Sequence, residues 1–270
     1  MAQERHWTLG DIPWHEIRPE HIAGSDELFY MVATASFIET TSDLYTRNLV
    51  RHFAGDPEVS HWLEHGWEPE ELQHGAALRE YVRHAWPDFD WQAQYAAFLA
   101  DYGRTCKPEN LLPERSLEMV SRCVVEMGTS CYYTALHHAS NEPVLAQLTR
   151  HIYEDEVGHY KHFYKYYQFY REQENVSRKQ VLGALWHRLK MIEDEDTYIA
   201  LRHVYAWHRP GKRYDKAVYR KVVKRCRKLV SRYFPHHMSA RMLLKPLEMT
   251  PVAQRVVEPV VEGMTKLVMF

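Results

Sequence analysis

The chain has 270 residues, 45% of them hydrophobic, enough to bury a large core in one domain or in one domain with an appendage. Its formal charge of −2 gives no global attraction for nucleic acid or membrane, and no run of about 18 apolar residues is present to span a bilayer. Gly is scarce and Leu, Ala, Glu and Arg are common, so the composition favours helix. The four cysteines (Cys106, Cys123, Cys131, Cys226) form no CxxC pair, and Met1–Trp14 lacks an apolar signal core, so a reduced, cytoplasmic compartment is expected.

Residues 1–25, with Pro13 and Pro19, read as an irregular lead-in. A first helix is predicted from Asp26 to about Ala54, where Gly55-Asp56-Pro57 stops one helix and starts the next. The second runs to about Ala85, before Pro87, and a shorter one covers Asp90–Thr105. Lys107–Pro113 is a connector, and a long helix follows to about Ser140. Asn141-Glu142-Pro143 repeats the turn chemistry and opens another long helix to about Gln173. From Ser177 on, three or four further helices are expected, broken at His208-Arg209-Pro210-Gly211, Pro235 and Pro251. The expectation is an all-α chain: a four-helix bundle over 26–175 and a C-terminal helical extension over 176–270 packed on it.

Two Glu-x-x-His motifs stand out, Glu71-Leu72-Gln73-His74 and Glu156-Val157-Gly158-His159. Alone they say little, since 25 Glu and 18 His in 270 residues give roughly two such pairs by chance. A third, Glu58-x-x-His61, opens a helix after Pro57 and reads as surface. What distinguishes the other two is a lone glutamate upstream of each: Glu39 lies 32 residues before Glu71, and Glu126 lies 30 before Glu156. Glu39 lies 16 residues before Gly55 and Glu71 lies 14 after Pro57, so an antiparallel hairpin brings both carboxylates to nearly one height. Glu126 and Glu156, 15 residues before Asn141 and 13 after Pro143, repeat the geometry. Residues i and i+3 share a helix face, so each motif offers a carboxylate and an imidazole on one side.

Packing two such hairpins gathers Glu39, Glu71, His74, Glu126, Glu156 and His159, the ligand set of ferritin-like di-iron and di-manganese carboxylate proteins. Four buried carboxylates would repel one another, and two divalent cations neutralise them. Oxygen and imidazole ligands without thiolate suit iron, with manganese as the other choice. Glu70 and Asp155 precede the two motif glutamates, and each is expected to accept a hydrogen bond from the histidine of the opposite motif; the other reading is that they face water.

These residues resemble the soluble acyl-carrier-protein (acyl-ACP) desaturases. Trp67-Glu68-Pro69-Glu70-Glu71-Leu72-Gln73-His74-Gly75 is similar to that family's W-x-x-E-E-x-x-H-G motif, and Asp155-Glu156-Val157-Gly158-His159 to its D-E-x-x-H motif. Glu126-Met127-Gly128-Thr129 matches its lone glutamate, followed by a threonine near the oxygen site. The resemblance spans about residues 25–170. It implies an oxygen-activating di-iron centre, a ferredoxin-like electron donor, a homodimer, and removal of two hydrogens from an acyl chain borne by an acidic carrier. Thr129 would relay a proton or orient oxygen; its alternative is back-bonding to a helix carbonyl. A di-iron oxygenase that hydroxylates or N-oxygenates another small molecule is the second reading. Iron storage is the third, and the 95 residues from 176 onward argue against it.

Two features lie outside the motifs. Gly211–Arg232 carries ten Lys and Arg against the single acid Asp215, and forms either a docking surface for an acidic partner or a solvated basic helix. The aromatic run Tyr160–Tyr170 reads as packing, and a redox-active tyrosine at Tyr133 or elsewhere is left open.

Overall fold

The computed structural model describes residues 7–104, 111–191 and 196–269. Cys106, the expected end of the third helix at Thr105, and most of the Lys107–Pro113 connector lie outside the described residues. The chain is all-α, with no strand among the described residues and no helix there long and apolar enough to cross a membrane. The helices are α1 (Asp26–Thr40), α2 (Ser42–His52), α3 (Pro57–Trp62), α4 (Glu68–Ala85), α5 (Trp91–Tyr102), α6 (Arg115–Ala139), α7 (Pro143–Glu174), α8 (Arg178–Met191), α9 (Asp196–His208), α10 (Lys216–Val230), α11 (His236–Leu244) and α12 (Pro251–Met269).

The starts follow from short-range chemistry. Ser25, Asp56, Asp90 and Asp215 each accept a hydrogen bond from an amide of the first turn, worth roughly 1 kcal/mol apiece. Glu142 caps α7 from a fully buried position, accepting from the amides of Val144 and Leu145 and from the Tyr81 hydroxyl. α6 has no side-chain cap of its own. Instead the amides of Arg115 and Ser116 donate to Glu174, 2.9 Å each, tying the start of α6 to the end of α7.

The first expected helix is two helices. Thr41 interrupts it at φ −96°, ψ 7°, directly after Glu39 and Thr40. The hydroxyls of Thr40, Thr41 and Ser42 all donate to backbone carbonyls of the preceding turn, which competes with the helical ladder and bends the chain. The second expected helix is continuous in direction but contains one wide π turn at Leu63–Trp67, where the Glu68 amide reaches back to Leu63. Pro69 follows at once; its ring cannot sit over the carbonyl four residues back, and a wide turn removes that clash. Beyond α7 the described residues form five helices rather than three or four.

α1 packs antiparallel on α4, with Glu39 beside Glu71 at one end and Phe29 against Trp86 at the other, ring centroids 5.3 Å apart. α6 packs antiparallel on α7, and α4 touches α7. α9 and α10 cover α1, while α8 and α11 cover α6. That is why α1 is apolar nearly all round, with ten consecutive buried residues from Leu28 to Phe37. The interior is two apolar clusters. Phe29, Phe37, Tyr81, Leu148 and Ile152 belong to one, which extends to Val204 and Val222 of the C-terminal helices. Leu49, Leu63, Trp67, Phe163 and Val181 belong to the other. Along α1–α2, α3–α4 and α7 the chain crosses from one cluster to the other at the motif glutamates and histidines.

Candidate metal centre

The six expected residues converge, and all are buried: Glu39, Glu71, His74, Glu126, Glu156 and His159 are each no more than 6% exposed. They form two overlapping groups whose candidate ligand atoms lie within 4.8 Å of one another: Glu39, Glu71, His74 and Glu156 in one, Glu71, Glu126, Glu156 and His159 in the other. The two motif glutamates are common to both groups. The two lone glutamates and the two histidines belong to one group each. One residue comes from α1, one from α6 and two each from α4 and α7, so the π turn before α4 and the break after Glu39 both act on the placement of these groups.

The surrounding hydrogen bonds cross between the motifs as expected. His74 Nε2 lies 3.0 Å from Asp155 Oδ2, and His159 Nε2 lies 2.8 Å from Glu70 Oε2. Each histidine therefore turns its Nδ1 inward. His159 Nδ1 lies 3.0 Å from Glu71 Oε1 and 3.6 Å from Glu126 Oε2, and His74 Nδ1 lies 3.4 Å from Glu156 Oε1. Among the described residues none is well placed to hydrogen-bond the buried Nδ1 of either histidine or Oε1 of Glu156. Buried polar atoms are ordinarily satisfied, and lone pairs converging on one point repel. A pair of divalent cations satisfies all of them at once, so the residues present fit the group their pattern suggests.

The electrostatics agree. Burial raises Glu39 well above the usual carboxylate range, and the charges of Glu71 and Glu156 push it further. Burial and Glu156 do the same to Glu126. Burial alone would raise Glu156 and lower the histidines. The facing imidazoles of His159 and His74 instead hold Glu156 well below its ordinary value, and the carboxylates of Asp155 and Glu156 bring His74 up to about 10. His159 is raised well above its ordinary range against the same burial, by the facing carboxylates of Glu126 and Glu156. Considered without cations, the cluster keeps protons that ligation would displace.

Thr129 donates to Glu156 Oε2 at 2.6 Å and also lies 3.2 and 3.3 Å from the carbonyls of Glu126 and Val125, the back-bonding geometry considered from the sequence; the carboxylate contact is the shorter. Two further residues belong to the site. The Tyr133 hydroxyl, fully buried, donates to Glu39 Oε1. Trp7, read from the sequence as part of an irregular lead-in, is 7% exposed. Its indole donates to Asp155 Oδ2 at 2.6 Å, its carbonyl accepts from Gln73 at 2.9 Å, and its ring stacks on His74 with planes 4° apart. A tryptophan among the polar residues of the first segment is the one signal that marked it. Glu58 and His61 stay outside the cluster, Glu58 pairing with Lys165 on the surface. A surface depression between the N-terminal segment and His84 is remote from these residues, thirteen positions along α4 from Glu71 or about 20 Å.

No family model, no curated protein and no solved structure matches the chain. The site is therefore defined by its own geometry: a buried, doubly shared glutamate and histidine cluster suited to hold metal ions.

Proposed function

We propose that the chain is a dioxygen-activating di-iron oxidoreductase of ferritin-like four-helix architecture, related in chemistry to the acyl-ACP desaturases. The observation that carries this reading is that Glu71 and Glu156 are common to both ligand groups while Glu39, Glu126 and the two histidines are not. A shared pair of carboxylates defines two adjacent positions, each completed by one carboxylate and one imidazole. Four carboxylates balance two divalent cations, and the oxygen and nitrogen donors suit iron, or manganese. When bound, two ferrous ions would supply electrons to dioxygen and so an oxidant able to act on a substrate C–H bond.

The chain's own groups define the rest of the chemistry. Asp155 and Glu70 fix the tautomer and orientation of His74 and His159, keeping both Nδ1 atoms free for ligation. Tyr133 and Thr129 hold Glu39 and Glu156, and each is placed to return a proton to the carboxylate oxygen it touches. The apolar clusters on either side keep water from the reacting atoms. Dehydrogenation of an acyl chain is the substrate chemistry the motifs favour, and hydroxylation or N-oxygenation of another small molecule is the alternative. An enzyme is favoured over a storage protein because α9 and α10 bury side chains in the same core as the ligand helices, an investment that mineral storage does not call for.

The test is an anaerobic titration with Fe(II) followed by oxygen. Oxygen uptake that saturates at about two irons per chain, and product formation when acyl-ACP and a reductant are supplied, are expected. Continued oxidation of many irons per chain would replace this reading with storage.

A further inference from the structure

Unlike every other α-helix described, α12 has no buried residue over 251–267. Five of the ten large apolar side chains exposed among the described residues lie on it: Val252, Val256, Val260, Met264 and Leu267, each 55–80% exposed. Steps of four, four, four and three residues keep them on one face, so they form a stripe about 22 Å long. The opposite face rests on α11. His236 lies 3.0 Å from Thr265, and His237 lies 3.3 Å from Glu258 and 3.5 Å from Glu262. α11 in turn backs α6 and α7 next to the cluster. Ser239 touches Met127, beside Glu126, at 3.2 Å, and Tyr160, beside His159, donates to the Met242 carbonyl at 2.6 Å. The stripe is therefore the outer surface of a layer that supports two ligand helices, and contiguous apolar surface of this kind marks a contact face.

The chemistry of α12 narrows the kind of partner. Arg255 and Lys266 are balanced by Glu258 and Glu262, and the helix has no aromatic residue, so it lacks the basic rim and aromatic anchors with which helices lie on a lipid surface. Its pattern is instead nearly its own reverse about a point between Pro259 and Val260. In an antiparallel pair Val252 meets the partner's Leu267, Val256 meets the partner's Gly263, and Val260 meets the partner's Pro259. One edge of the stripe carries Arg255 and Glu262, seven residues apart. A two-fold axis brings like edges together and sets Arg255 within one turn of the partner's Glu262, twice over. Among the described residues of its own chain, Arg255 has no carboxylate within ion-pair distance. A parallel pair would set Arg255 against the partner's Arg255. With five side chains more than half exposed on each copy, the pair would bury on the order of 1,000 Å² in all, the size that separates specific interfaces from chance contacts. Three of the five are valines, whose stiff side chains lose little freedom when covered.

We infer that the exposed face of α12 is the surface on which two copies of this chain associate, paired antiparallel about residues 259–260. The contact lies beyond residues 25–170, where the motif resemblance ends, and leaves the ligand helices α1, α4, α6 and α7 outside the interface. It needs no metal, so it stands apart from the reading of the cluster. Each α12 covers the apolar face of the other, and both hold α11 in place behind Glu126 and His159.

The experiment is sedimentation equilibrium of the full chain over a range of concentrations. It compares wild type, Val256→Glu/Val260→Glu, and Leu182→Glu on α8 as a control for an exposed apolar residue elsewhere. Wild type and Leu182→Glu are expected to sediment at twice the 32.2 kDa chain mass. The double variant is expected to weaken association by about 100-fold or more, with unchanged circular dichroism, because each charge is buried against the partner's apolar stripe. Arg255→Glu is expected to weaken association about fivefold, and Arg255→Glu/Glu262→Arg to restore it. The register is read from Val252→Cys/Leu267→Cys, which adds no charge and is expected to form a covalent dimer on mild oxidation. Val252→Cys alone should crosslink no more than wild type, since the two copies of residue 252 lie about 22 Å apart. A wild type that stays monomeric, or a dimer that survives Val256→Glu/Val260→Glu, would overturn the inference. Failure of the cysteine pair to crosslink, with no rescue by the charge exchange, would overturn the antiparallel pairing. Monomeric wild type that binds phosphatidylglycerol vesicles through the same valines would assign the face to lipid instead.

Discussion

A methyl group added to Gly75 would lie 2.6 Å from the backbone nitrogen of Thr40 and 2.8 Å from its Cα. α4 approaches the α1 break this closely only because residue 75 has no side chain, and the contact falls between His74 on one helix and Glu39 on the other. Because the obstructing atoms are backbone, they cannot rotate away. Gly75→Ala is expected to cost about 1–3 kcal/mol, a fall of several degrees in Tm, and to weaken metal binding by displacing Glu39. Thermal melts with metal-binding isotherms check this; an alanine variant with wild-type Tm and affinity would show that the helices can move apart freely.

Trp7 reaches His74 through Asp155. Trp7→Phe keeps a stacking ring but removes the indole donor, and Asp155→Asn keeps the shape but removes the charge. Both are expected to keep the fold and weaken metal affinity, Asp155→Asn by about 10–100-fold and Trp7→Phe by less. Competition with a chelator gives the ranking. Unchanged affinity in Asp155→Asn would mean that His74 needs no fixing from outside the cluster.

The pH dependence has a definite sign. His74, held up to about 10 by its carboxylate partners, and His159 stabilise the metal-free fold fully below the ordinary histidine value of about 6.5, and that stabilisation is lost as pH rises toward their folded values. Burial keeps Glu39 and Glu126 protonated to higher pH than in the unfolded chain, so they too favour the metal-free fold less as pH rises. Metal replaces those protons. The Tm of metal-free protein should therefore fall from about pH 6.5 to 9, while the gap between metal-loaded and metal-free protein widens. A gap that narrows over that range would contradict the proton assignment.

Thr129 is expected to matter for the reaction rather than for assembly. Thr129→Val should retain both metals and slow the oxygen reaction by about tenfold or more, and Thr129→Ser should restore it. Stopped-flow oxidation at matched iron content decides between this and simple back-bonding, for which the valine variant would react normally.

The sequence spacing was enough to bring the six candidate ligands together and to cross Asp155 with His74 and Glu70 with His159. Those features depend on helical rise and on turns marked by Gly55-Asp56-Pro57 and Asn141-Glu142-Pro143, which are local properties. Thr41 was less legible. Thr40, Thr41 and Ser42 are each tolerated in a helix, and only their joint back-bonding breaks it. The π turn depends on the clash of Pro69 with one carbonyl, which periodicity does not register. Trp7 was hidden because nothing in a short irregular segment says which distant side chain it covers; that contact spans 148 residues. The pairing of Arg225 with Asp26 and Glu27 was equally out of reach, since they lie nearly 200 positions apart.

The most direct test of the account is metal content by elemental analysis after loading with Fe(II). Wild type is expected to hold about two irons per chain. Glu71 and Glu156 belong to both ligand groups, so Glu71→Ala or Glu156→Ala should lose most of both ions, while Glu39→Ala or Glu126→Ala should weaken one position more than the other. Retention of two irons by Glu156→Ala would contradict the shared-ligand centre on which the proposed function stands.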